Sequence, residues 1–94
     1  MNYQLVIQLS GDDLDALVRL EEAVVERLGD LGDVDGHDIG RGEMNIFIFT
    51  DDPRRAFDRI RPTLTGAFAA AFRQVEADSY VVLFPPGLKS FDVL

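Results

Sequence analysis

The sequence predicts a single α+β domain, an antiparallel sheet with two helices on one face, spanning residues 1–94. Three observations predict it. Strand-like segments recur at 3–9, 44–50 and 80–84, and their apolar residues alternate or cover both faces. Two capped helix starts, at 10–13 and 51–53, fall between them. No apolar run approaches the roughly 20 residues that span a bilayer.

Each element has its own signal. In 3–9, Tyr3, Leu5, Ile7 and Leu9 share one face and Gln4, Val6 and Gln8 the other, a half-buried strand. Ser10 or Asp12 can cap the helix that follows, and Asp12, Asp13 and Asp15 suit the positive end of its dipole. Leu14, Leu17, Val18, Val24, Val25 and Leu28 recur with the helical period, widened by Ala16, Leu20 and Ala23, and so form the expected inward stripe. Glu22 and Glu26 face outward, and Gly29 ends the helix. Residues 31–39 read as a weaker strand interrupted by Gly32 and Gly36, which suggests a bulge or a close backbone approach. Gly40, Arg41 and Gly42 form a hairpin turn that tolerates positive φ. Residues 44–50 are apolar on both faces at Ile46, Phe47, Ile48 and Phe49, as a central strand should be.

Asp52 followed by Pro53 starts the second helix, with Ala56, Phe57, Ile60 and Leu64 inward and Arg54, Arg55, Arg59 and Arg61 outward. Pro62 kinks or ends it. Residues 67–75 fit a helix by their alanines and a strand by the spacing of Phe68, Ala70 and Phe72; the strand is favoured, because the chain must return to the sheet. The strand at 80–84 stops at Pro85 and Pro86. The apolar residues of the 85–94 tail imply packing on the domain or on a partner. The order β-α-β-β-α-β with an additional C-terminal strand is the ferredoxin-like plan. That plan leaves one sheet face open, with Val6 and part of 46–49 and 80–84 on it, and a homodimer is its simplest cover.

The net charge of −8 is unevenly placed. Between Gly11 and Glu43 there are 11 acids and 3 bases, which accounts for the whole imbalance. Such a surface repels a nucleic-acid backbone and suits a cationic partner or a solvated face. The absence of cysteine excludes a disulfide framework and thiolate chemistry and fits a cytoplasmic protein. The N-terminus lacks the basic region and cleavage site of a signal peptide, and no membrane partner is expected.

The candidate site centres on His37, the single histidine, with Asp35, Asp38, Glu43 and Asn45 close in sequence. One imidazole beside carboxylates suits a divalent ion or acid/base chemistry. The spacing is no known ligand signature, and alternation puts Asp38 on the opposite strand face from His37 unless a bulge intervenes. The competing reading gives His37 and Asp38 a purely structural role in the hairpin. Asn45, polar in an apolar strand, must find partners if buried, most simply across the sheet or from His37. The Gly40–Gly42 stretch fails as a phosphate loop, since a strand and not a helix follows it. No nucleophile constellation surrounds Ser10, Ser79 or Ser90. No cofactor is expected.

The segments D-G-H-D-I-G-R-G-E-M-N-I-F-I-F-T (35–50) and Y-V-V-L-F-P-P-G-L (80–88) resemble small uncharacterised bacterial proteins. These share a G-H-D-x-G-x-G-E-x-N-I-F-type central segment, the specific part of the likeness. The resemblance implies a ferredoxin-like fold and supplies no catalytic residues. Two functional expectations follow from the residues. The first is a non-enzymatic interaction domain that binds a protein or small ligand through its acidic or open face. The second is a small metal-dependent or acid/base enzyme built on His37 and its neighbouring carboxylates.

Overall fold

The computed structural model describes residues 2–84. Its order is β1 (Tyr3–Ser10), α1 (Leu14–Leu28), β2 (Gly32–Gly40), β3 (Glu43–Thr50), α2 (Pro53–Ile60), β4 (Phe68–Gln74) and β5 (Val81–Phe84), with single 3-10 turns after each helix. The five strands form one antiparallel sheet in the order β2-β3-β1-β4-β5. The α+β class expected from the sequence therefore holds. The packing expected of 85–94 lies outside the described residues. Among the described residues, no helix is long and apolar enough to cross a membrane.

β1 lies between β3 and β4, which explains why Leu5 through Leu9 are all buried. Leu5, Ile7 and Leu9 point toward the helices and share a core with Leu17, Val24 and Leu28 of α1 and Ala56, Phe57 and Ile60 of α2. Val6 points the other way, into a smaller cluster with Ala69 and Ala71, against which Phe47 and Tyr80 pack. Val6 was expected on an open face, yet it is 0 % exposed. The Tyr80 hydroxyl donates to Gln4 Oε1 at 3.2 Å and Arg73 lies over the Tyr80 ring, so part of this face has its own cover.

The α1 cap is Asp13, whose carboxylate accepts from the Ala16 backbone N–H at 3.1 Å, in place of Ser10 or Asp12. Its inward stripe is narrower than expected. Leu17, Val24 and Leu28 are buried, while Leu14, Val18 and Val25 are 49, 37 and 54 % exposed. At about 100° per residue, these three sit roughly 60–100° around the helix from Leu17, beyond the reach of the sheet. Gly29 ends α1 with φ 54°. α2 begins as expected, Asp52 accepting from the Arg55 N–H at 3.1 Å with Pro53 in the first turn.

Two glycines carry structural weight. A Cβ on Gly32 would lie 2.7 Å from the Phe49 carbonyl oxygen, so β2 can approach β3 this closely only with glycine there. Gly42 has φ 75° and, with Arg41 at φ 56°, makes a two-residue hairpin turn closed by the Gly40–Glu43 pair.

Candidate functional site

The sheet register decides where the candidate residues go. In the β2–β3 ladder His37 pairs with Ile46, Asp38 with Asn45 and Gly40 with Glu43. Ile46 belongs to the helix-side core, so His37 is on the helix side of the sheet. Asp38, Asn45 and Glu43 are on the other side. The ladder shifts between Val34 and Gly36, leaving Asp35 as the extra residue of a bulge, exposed to solvent. The five residues do not converge. A reacting atom in contact with His37 would have the sheet between it and Asn45.

On the helix side, His37 Nδ1 is 2.8 Å from Glu21 Oε2 of α1. The two side chains keep 30 and 22 % of their surface exposed, so water screens the pair. Glu21 is sixteen positions away in sequence, and no spacing rule pointed to it. The contact ties the outer strand to α1.

On the opposite side a polar row crosses three strands. Gln8 of β1, Asn45 of β3 and Asp38 of β2 occupy one register row, and Glu43 lies two residues from Asn45 on the same face. Gln8 Nε2 donates to Glu43 Oε1 at 2.7 Å. Asn45 Nδ2 donates to Asp38 Oδ1 at 2.8 Å and to Glu43 Oε1 at 3.3 Å. Asn45 thus finds its expected partner across the sheet in Asp38 and none in His37. Gln8 and Asn45 are 0 and 3 % exposed. Gln8 escaped attention in the sequence because alternation alone places it on a polar face. An amide opposite Asn45 in a central strand was the available signal.

This row gathers two carboxylates and two amides with no nucleophile and no imidazole. Its chemistry is to accept hydrogen bonds and positive charge. Among the described residues, no group of three or more His, Cys, Asp or Glu side chains is placed to hold a metal ion. Two surface clefts, one lined by Tyr3, Asp51, Asp52, Pro53, Arg54 and Phe72 and one by Asn2, Gln74, Val75 and Glu76, lie at the far end of the sheet from the hairpin. None of the five candidate residues lines either.

A second surface feature was not foreseen. The exposed Leu14, Val18 and Val25 form an apolar line on α1. Asp15, Glu22 and Glu26 on the same helix, Asp30 after it, and Asp33 and Asp35 on the outer strand β2 are all exposed. Arg19 and Arg27 are also exposed on α1, but a larger group of arginines gathers elsewhere. Arg54, Arg55, Arg59 and Arg61 on and just after α2 are exposed, with Arg54 5.4 Å above the Phe72 ring and Arg61 4.3 Å above that of Phe84. These two guanidinium groups are held against aromatic faces. Comparison of the chain with family models, curated proteins and solved structures finds no match.

Proposed function

We propose that this chain is a non-enzymatic interaction domain that binds a cationic protein through the acidic edge formed by α1 and β2. The observation that carries it is the α1 surface, where Leu14, Val18 and Val25 stay exposed among Asp15, Glu22 and Glu26. Isolated surface hydrophobes are ordinary, but an aligned set rimmed by one sign of charge fits an interface. The acids would steer a basic partner and suppress acidic ones, and the aliphatic line would supply the dry contact. A second copy of the chain is a poor occupant here, because Asp33 and Asp35 would meet their own counterparts across a β2–β2 edge. The separation of His37 from Asp38, Glu43 and Asn45 favours this reading over an acid/base enzyme. At the level of fold, we read the sheet as the ferredoxin-like plan with β5 added beside β4, a reading supported by the strand order and the two helices on one face.

The test is affinity capture from the source cell with two baits, the wild-type chain and a variant carrying Val18→Ser, Val25→Ser, Asp33→Asn and Asp35→Asn. The expected result is a basic protein that is retained at low salt by the wild type and lost with the variant. Capture of an acidic protein, or capture that survives the variant, would refute the proposal.

A further inference from the structure

α1 overhangs the outer edge of the sheet. With Leu17 as the centre of the inward face, Glu21 lies about 40° to one side, Leu14 about 60°, Val25 about 80° and Val18 about 100°. Glu21 reaches His37 on β2, so this side of the helix lies over the last strand. Arg27 lies about 80° to the other side, where its Nε donates to the Arg59 carbonyl of α2. The apolar line of Leu14, Val18 and Val25 therefore projects past β2, and no strand among the described residues lies beneath it. The sheet ends one strand short of the helix above it.

The outer edge of β2 has the backbone groups to receive that strand. Across the two-residue turn, Gly40 and Glu43 exchange both backbone bonds, and bonded and non-bonded pairs alternate along an antiparallel ladder. Asp38 and Gly36 therefore also bond β3, while His37 and Ile39 turn their N–H and C=O groups outward. Among the described residues, no backbone group of another element reaches those outward groups. The Gly11 N–H donates to the Gly42 carbonyl at 2.7 Å and holds the start of α1 at the hairpin. Leu14 and Val18 thus lie at the same end of the sheet as His37 and Ile39.

We propose that β2 is completed by an extended segment of the cationic partner, added antiparallel along 36–40 with apolar and basic residues alternating. The proposal rests on the acidic-edge reading and names how that edge is used. Residues paired with His37 and Ile39 share their side of the sheet. One more strand widens the sheet by about 4.8 Å, which brings those side chains under Leu14 and Val18. The residue opposite Asp38 lies on the other face, beside its carboxylate, where a lysine or arginine is favoured and an acid repelled. Bulges and charges commonly guard an exposed edge against indiscriminate pairing. Here the bulge at Asp35 limits the regular stretch to 36–40, and the aspartates select the sign of what enters it. A second copy paired antiparallel over the same residues would set Asp38 against Asp38.

The probe is a seven-residue peptide of alternating valine and lysine, added to the isotope-labelled chain and followed by NMR. Amide hydrogen exchange at His37 and Ile39 should slow by about tenfold or more at saturation, while Asp38, already bonded to β3, changes little. In the added strand the valines supply the bonds to β2. N-methylation of the valine amides should therefore weaken binding by about tenfold or more. N-methylation of the lysine amides, which face away from β2, should leave it nearly unchanged. A peptide of the same composition with its lysines grouped at one end should protect neither His37 nor Ile39. Absence of binding, unchanged exchange at His37 and Ile39, equal loss from both methylation patterns, or a dimer of the chain joined through β2 would overturn the added strand. Capture judges the acidic edge separately. A basic protein lost with the edge variant, together with unchanged exchange at His37 and Ile39, keeps the edge and rejects the strand; capture that survives the variant rejects the edge itself.

Discussion

Thr50 joins three elements through one hydroxyl, and replacing it with valine should cost about 2 kcal/mol of stability. The side chain is 0 % exposed. Its Oγ1 donates to the Leu31 carbonyl at 2.7 Å and accepts from the Asp52 N–H at 3.0 Å. It therefore links the turn before β2, the end of β3 and the residue that caps α2. Valine keeps the shape and strands one carbonyl and one N–H. Each stranded group costs about 1–3 kcal/mol when fully buried. Leu31 and Asp52 keep partial access to water, which lowers the sum, and loss of a buried hydroxyl offsets a little more. The assay is urea unfolding at 25 °C with Thr50→Ser, which keeps the hydroxyl, as the comparison. At a slope of about 1–2 kcal/mol/M, the Thr50→Val midpoint should fall by about 1–2 M. A Thr50→Val chain within about 0.5 kcal/mol of wild type would refute the role assigned to the hydroxyl.

Three further outcomes are expected. Gly32→Ala should destabilise by about 1–3 kcal/mol, because the new Cβ meets the Phe49 carbonyl oxygen at 2.7 Å; Gly36→Ala, facing open space, should change the thermal midpoint little. Arg41→Asn should stabilise by up to about 1 kcal/mol, since Asn-Gly is the favoured pair for a turn with both φ values positive; chemical denaturation reads the gain. His37→Gln should cost less than about 1 kcal/mol, because its Glu21 contact is partly solvated, and capture of the basic partner should be unaffected; a larger loss in either would return His37 to the functional site.

The elements were legible where local chemistry decides them. Asp52 followed by Pro53 started α2 as read, and Gly29 with positive φ stopped α1. The weak strand with two glycines proved to be β2, the glycine at 32 marking a close approach and the bulge falling next to Gly36. What depends on distant residues was not legible. Periodicity counts apolar positions but not the width of the surface they meet, so Leu14, Val18 and Val25 were assigned to the core and lie outside it. Alternation already put Asp38 on the opposite face from His37, but only the register shows that Glu43 and Asn45 join Asp38 there and that His37 finds its partner on α1. Burial of Val6 and Gln8 required knowing what lies over the second face of the sheet.

The most direct test of the acidic edge is chemical-shift mapping on the labelled chain, titrated with the basic protein recovered by capture. The expected result is a set of shifts confined to α1 and β2, centred on Leu14, Val18, Val25, Asp33 and Asp35 and reversed by high salt. Shifts centred on α2 and its arginines, or on β4 and β5, would contradict the proposed edge.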